Sequence, residues 1–425
     1  MRGEAVGTKV AHLFVVRLLI GVALVTTTVS AAPPRRTASV SSALKPISQT
    51  ALQGLVDSTA RELLVPGALV LLRTPQHEFV ATYGTTQLGT TNRPGVDTYF
   101  RIASNTKTMT AAVILQLAQE GLLSLRDPIS KYVPNVPNGD NITIAELLEM
   151  RSGLYNYTNA PELSAAIDHD HAKVWTTGEL LAIAFAHPPN FPPGTAYEYC
   201  NTNYALLGLV AERLGGKPLA LAMEQRLFRP LGMQHTLLPA ASVNTMPEPY
   251  SHGYLYGSSS VALVGTPPYS SDFQAAARAG TLLPTDDTDV SPSFALAAGG
   301  VISTANDLAT WIKALVGGRV LNAEYQARWR DSLRPEDKPD GQEYGYGIIR
   351  IRWASNEILF HGGETAGYQS FIGYDPANGV TLVVWTNLAV SLDQKLTANE
   401  LMLRVLDHIY LVSPLRPTTA ATAAP

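Results

Sequence analysis

Phe100-Arg101-Ile102-Ala103-Ser104-Asn105-Thr106-Lys107 runs without a break into an apolar segment, residues 109–117. Within it, Ser104-Asn105-Thr106-Lys107 fits the S-x-x-K pattern of acyl-transferring serine enzymes. The chemistry needs this spacing. At i and i+3 on a helix a hydroxyl and an amine share one face, near enough for the amine to take or steer the hydroxyl proton. A serine at the first turn also meets unpaired backbone N–H groups and the positive end of the helix dipole. Residues 109–117 are apolar on nearly every side, which predicts a buried central helix. A lysine at its start is then partly desolvated, and its pKa falls toward that of a useful base. The motif is short, however. Ser42-Ala43-Leu44-Lys45 satisfies it too, just before Pro46, so one match is chance. Alone, a helix N-cap followed by a surface lysine explains Ser104 equally well.

Two further motifs follow in order. Y-x-N occurs as Tyr157-Thr158-Asn159 and as Tyr199-Cys200-Asn201, and His361-Gly362-Gly363 follows the apolar run Ile358-Leu359-Phe360. With residues 100–107, these resemble the serine β-lactamase and D-alanyl-D-alanine carboxypeptidase family, in its branch with class C β-lactamases and related esterases. The surroundings of the second Y-x-N, residues 193–208, look like that family's, so Tyr199 and Asn201 are preferred. Arg151-Ser152-Gly153-Leu154 and residues 298–304 also match stretches typical of it, and the resemblance covers about residues 47–410. It implies a nucleophilic Ser104, an activating Lys107 and a Tyr199 that shuttles the proton to the leaving group. A phenol near a lysine ammonium is expected to ionise more easily. Asn201, His361, Gly362, Gly363 and Glu364 would contact substrate, with the N–H groups of Ser104 and Glu364 as the oxyanion hole. Glycines on the strand let a substrate backbone approach closely.

The departures bear on substrate. His361 stands where a class C β-lactamase has lysine, which points toward carboxypeptidases and esterases. Gly362 lacks a hydroxyl for a substrate carboxylate, and Glu364 adds a negative charge nearby. The resemblance implies a D-alanyl-D-alanine carboxypeptidase-like hydrolase first, then an esterase or β-lactamase, and as a different class a catalytically silent penicillin-binding-like protein. The substrates would be small peptides, esters or β-lactams, and no metal or cofactor is implied.

Outward from these motifs, residues 47–63 and about 393–411 read as helices. Residues 67–72, 78–83, 346–353, 357–360, 368–374 and 380–386 read as strands, the last two joined by the turn Asp375-Pro376-Ala377-Asn378-Gly379. Thr304 and Asp307 stand at capping-box spacing before a helix at 308–316. Strands at both ends with helices between them predict an α+β fold, β-lactamase/transpeptidase-like. An antiparallel sheet is built from both termini, with a helical lobe inserted at about residues 96–293, all within a domain spanning 47–412. Residues 240–293 are rich in Pro, Gly, Ser and Thr, and read as a lid or site rim.

Arg2, Lys9 and Arg17 precede the apolar run 18–25, and Val29-Ser30-Ala31 supplies small residues at cleavage spacing. That is the order of a secretory signal peptide, so export from the cytoplasm is expected, with an uncleaved anchor as the rival. Residues 32–46 read as a linker and 413–425 as a disordered tail. The net charge of −4 gives no general attraction to nucleic acid or anionic membrane. One cysteine, Cys200, excludes an internal disulfide and a zinc site held by cysteines. Asp168-His169-Asp170-His171 has metal-binding residue types, but four consecutive residues converge poorly on one ion and read as a solvated loop. No G-x-S-x-G elbow or phosphate loop occurs.

Overall fold

The computed structural model describes residues 44–257, 269–336, 341–353 and 355–411. The export segment, Ser42 of the second S-x-x-K match and the C-terminal tail lie outside these residues. Twelve strands are described: β1 Gly67–Arg73, β2 Glu78–Gly84, β3 Phe100–Arg101, β4 Tyr254–Leu255, β5 Thr285–Asp286, β6 Ile302–Ser303, β7 Arg334–Pro335, β8 Glu343–Tyr344, β9 Ile349–Trp353, β10 Asn356–Thr365, β11 Tyr368–Asp375 and β12 Val380–Thr386. Eight of them form one antiparallel sheet in the order β2-β1-β12-β11-β10-β9-β8-β7. The two ends of the sequence meet where β1 pairs with β12, from Ala68 opposite Thr386 to Arg73 opposite Thr381.

Burial explains why β1 and β12 read as unbroken apolar runs: the sheet is covered on both faces. Ala68, Val70 and Leu72 pack with Val384 against Leu52, Val56, Val405 and Leu406, from the helices Gln49–Glu62 and Thr397–Ile409. Leu69 and Leu71 point the other way, joining Val383 and Trp385 in the core shared with Ile114, Trp311 and Ile312, from the helices Thr106–Gln119 and Ala305–Val316. Each such valine, leucine or isoleucine contributes about 1.5–3 kcal/mol by leaving water. The helix Thr106–Gln119 is buried almost throughout in that core.

Three readings need correction. β10 runs ten residues rather than four, because Gly362, Gly363 and Glu364 break the apolar pattern without breaking the strand. β9 starts only at Ile349. Gly347 before it adopts φ +69°, and a Cβ there would lie 2.7 Å from Ala111 Cβ, so this turn is pressed onto the central helix. The capping box at Thr304 is one-sided. Asp307 N–H donates to Thr304 Oγ1, but the Asp307 carboxylate accepts instead from His235 N–H and Thr236 Oγ1, each at 2.8 Å. The described part of 240–293 is fastened rather than free. Tyr250 bridges Tyr99, Ser251 O accepts from Tyr368 Oη at 2.8 Å, and β4 pairs with β5. It borders the tip of the β10–β11 hairpin.

Candidate active site

Ser104 occupies a one-turn 3-10 segment, Ala103–Asn105, that leads into the helix Thr106–Gln119. Ala103 has φ +48°, a left-handed conformation that a Cβ disfavours by about 1 kcal/mol or more. The surroundings hold it. Asn105 Nδ2 donates to Ile102 O (3.0 Å) and Ser370 Oγ (2.8 Å), and Val301 N–H donates to Thr106 Oγ1 (3.1 Å). The turn is thus gripped by β11 on one side and by the 298–304 stretch on the other.

Lys107 follows one turn later and is fully buried. Its Nζ lies 3.0 Å from Ser104 Oγ, 2.7 Å from Asn201 Oδ1 and 2.7 Å from Ala298 O. Burial holds the amine well below the usual lysine range, with a smaller opposing pull from Cys200. In the neutral form two N–H bonds serve Asn201 and Ala298, and the lone pair faces the serine hydroxyl. In the protonated form all three contacts are donations. One geometry therefore serves before and after proton transfer.

Asn201 opens the helix Asn201–Gly215, and its Nδ2 donates to Thr158 Oγ1 at 3.0 Å, which fixes Oδ1 toward the lysine. Lys107 Nζ lies 4.8 Å from the Tyr199 ring centroid. Ionisation of Tyr199 is nonetheless harder than for a free phenol: burial pushes its pKa up from the ordinary value, opposed by a hydrogen bond with Ser104. At neutral pH the Tyr199 phenol therefore keeps its proton.

His361 is buried. Its Nδ1 lies 2.6 Å from Gly362 O and its Nε2 3.2 Å from Tyr344 Oη, so a neutral ring donates at one nitrogen and accepts at the other. Burial, then the Lys107 charge, pull its pKa down to about 3. The unfolded chain, near 6.5, takes up that proton first, so this group lowers stability as pH falls from about 6.5 toward about 3. His361→Gln is expected to flatten the acid limb in that window by up to about 1.4 kcal/mol per pH unit. Urea unfolding of both proteins at pH 7, 5.5 and 4.5 measures it, and parallel limbs would refute it.

Along β10, Asn356 to Phe360 pair with β9, whereas His361 to Thr365 pair only with β11. Among the described residues no strand pairs with the outer edge of that second half, which is the open edge of β10. The two-residue turn Ala366-Gly367 makes Thr365 and Tyr368 the hydrogen-bonded closing pair, and alternation then aims the N–H groups of Gly362 and Glu364 at the open edge. Gly363 faces the serine turn: a Cβ there would lie 2.1 Å from Ile102 O. Glu364 is partly exposed, and desolvation by the surrounding chain pushes its carboxyl up to about 8.

Ser104, Lys107, Tyr199, Asn201 and the strand residues His361, Gly362, Gly363 and Glu364 are thus brought together around the serine turn. Ala298 O, Thr158 and Tyr344 were not anticipated. Asp168 to His171 are exposed, and no cluster of three His, Cys, Asp or Glu that could hold a metal ion occurs among the described residues. Trp175, Tyr254 and Tyr256 are core side chains.

Protein flp of Staphylococcus aureus (strain MW2) is 26% identical to this chain over 352 residues, 80% of this chain and 63% of that protein, so the chain spans less than two thirds of its length. The D-alanyl-D-alanine-carboxypeptidase/endopeptidase AmpH of Escherichia coli (strain K12) is 35% identical over 178 residues, 40% of this chain and 44% of its own. Among solved structures, a D-stereospecific amidohydrolase from Streptomyces sp. superposes with a TM-score of 0.72 at 29% identity, covering 84% of this chain and 98% of that one. The Beta-lactamase family profile matches residues 52–407. With that match over most of its length, and with an α+β fold of the β-lactamase/transpeptidase type, the chain belongs to the beta-lactamase family of serine hydrolases.

Proposed function

We propose that the chain is an exported hydrolase that cleaves peptide or amide bonds at a D-residue by D-alanyl-D-alanine carboxypeptidase-like chemistry. The observation that carries this reading is the Lys107 Nζ set between Ser104 Oγ, Asn201 Oδ1 and Ala298 O. Ser104 Oγ adds to the substrate carbonyl as its proton passes to Lys107. The oxyanion is received by the N–H groups of Ser104 and Glu364. Tyr199 relays the proton to the leaving nitrogen as the C–N bond breaks, leaving an ester on Ser104. Water then reverses the sequence and releases the acid. The D preference rests on the names of two similar proteins, the carboxypeptidase and the D-stereospecific amidohydrolase. Export rests on residues 1–31. Among the described residues no helix is long and apolar enough to cross a membrane.

The test is to incubate the protein with a fluorophosphonate, a fluorescent penicillin, and acetyl-D-alanyl-D-alaninamide beside its all-L isomer. Mass spectrometry of the intact chain and its peptides should place the phosphonate on Ser104, with turnover of the D substrate alone. A penicillin adduct without turnover would leave a silent penicillin-binding-like protein, and absence of both adduct and turnover would overturn the hydrolase reading. Equal turnover of the isomers would remove the D preference.

A further inference from the structure

Gly362 and Glu364 alternate onto the face of β10 opposite the one that Gly363 turns to the serine. A Cβ on Gly362 would meet nothing nearer than Ser370 O at 3.8 Å and Asn399 Oδ1 at 4.0 Å, so the strand is bare there and Asn399 looks across it. Asn399 sits in the first turn of the helix Thr397–Ile409, fixed through its backbone N–H to Gln369 Oε1 at 3.1 Å. Its side-chain amide and the Glu364 carboxyl have no hydrogen-bond or ion-pair partner among the described residues. Lys395, a cation preceding that helix, is already paired with Glu400 at 3.6 Å. Among the described residues a carboxyl and an amide thus stand unpartnered beside the open edge, and the cation nearest in sequence, Lys395, is paired. His361, three residues before Glu364 on β10, has its ring centroid 6.4 Å from that of Tyr199, so this stretch of the strand borders the proposed proton relay to the leaving group, and the Glu364 charge helps hold the phenol up.

We infer that Glu364, with Asn399 across the bare Gly362, forms a subsite for an ammonium group on the leaving half of the substrate, and disfavours a leaving group that ends in a carboxylate. This rests on the acyl-enzyme reading above and deepens it. An ammonium there would compensate a carboxylate that desolvation otherwise keeps protonated to about pH 8. The chemistry stays carboxypeptidase-like, while the departing amine carries the opposite charge.

Three acetyl-D-alanyl amides with one leaving skeleton separate these terms: D-alanine, D-alaninamide and (R)-1,2-diaminopropane, ending in carboxylate, carboxamide and aminomethyl. At pH 8.5 the full chain should show kcat/KM rising in that order, each step about tenfold, the effect of one partly screened charge contact. Glu364→Gln should bring the aminomethyl and carboxamide substrates to within about threefold of each other, and Glu364→Lys should favour the carboxylate. Fluorophosphonate labelling of Ser104 in each variant reports an intact fold. A wild type that prefers the carboxylate, or a labelled Glu364→Gln that keeps the original ranking, overturns the subsite while leaving the hydrolase reading in place. Failure of the wild type to turn over any of the three, with Ser104 unlabelled, overturns the hydrolase reading and the subsite together.

Discussion

Ser104→Ala and Lys107→Met should each lower kcat by about 10⁵–10⁶, and the double variant should be scarcely worse than either, as for catalytic groups that act as a unit. Alanine removes the atom that would form the acyl-enzyme. Methionine keeps the length of the lysine side chain but removes the acceptor for the serine proton. Stability should change far less than activity. Lys107 is fully buried, and taking a cation out of water is expensive even with good partners. Methionine leaves Asn201 Oδ1 and Ala298 O without that donor, but it also removes the desolvation penalty. We expect unfolding free energies within about 1–2 kcal/mol of wild type, the two effects largely offsetting. Single-turnover kinetics and urea unfolding of the four proteins check both halves. Additive losses in kcat would mean that the serine and lysine do not form a unit. A collapse of stability in Lys107→Met would make the lysine a structural group.

What could be read from the sequence followed from how local each determinant is. The pairing of Ser104 with Lys107 needs only one helical turn, so spacing exposes it. The terminal strands β1 and β12 are buried on both faces and leave unbroken apolar runs. Ala298 O was illegible as a ligand, because any residue carries a carbonyl and only the fold brings this one to Lys107 across 191 positions. The surroundings of the first Y-x-N carry no sign of a site, yet it lies beside the second, with Thr158 Oγ1 accepting from Asn201 and Tyr157 Oη donating to Phe294 O. Its role is to position the other. Tyr344 sits in a two-residue strand that no periodicity betrays. The length of β10 was hidden for a related reason: the residues that make it a site wall are those that spoil its apolar pattern.

Gly363→Ala should cost far more than its one added methyl suggests, and Gly362→Ala should not. The Cβ at 363 would fall 2.1 Å from Ile102 O and 2.8 Å from both Asn105 Nδ2 and Ser370 Oγ. None of these has room to retreat. Ile102 O accepts from Asn105 Nδ2 and from Ser370 Oγ at 3.2 Å, and Ile102 N–H donates to Val301 O at 3.1 Å. The neighbouring Ala103 is already in the left-handed region, so little further distortion of the turn is available. The methyl must push β10 and the Ser104 turn apart, and these two elements carry the two N–H groups assigned to the oxyanion. Overpacking of this kind costs about 1–3 kcal/mol of stability. Moving reacting groups by an ångström costs about a hundredfold in rate. Gly363→Ala should therefore lose about a hundredfold in the rate of Ser104 phosphonylation while still unfolding cooperatively. At Gly362 the new methyl meets only ordinary contacts, and its unfolding free energy should stay within about 0.5 kcal/mol of wild type. Stopped-flow labelling with a fluorophosphonate, beside urea unfolding of both variants, decides the matter. If Gly363→Ala labels at the wild-type rate, the serine turn and the site strand are not held in the close register on which the proposed oxyanion hole depends.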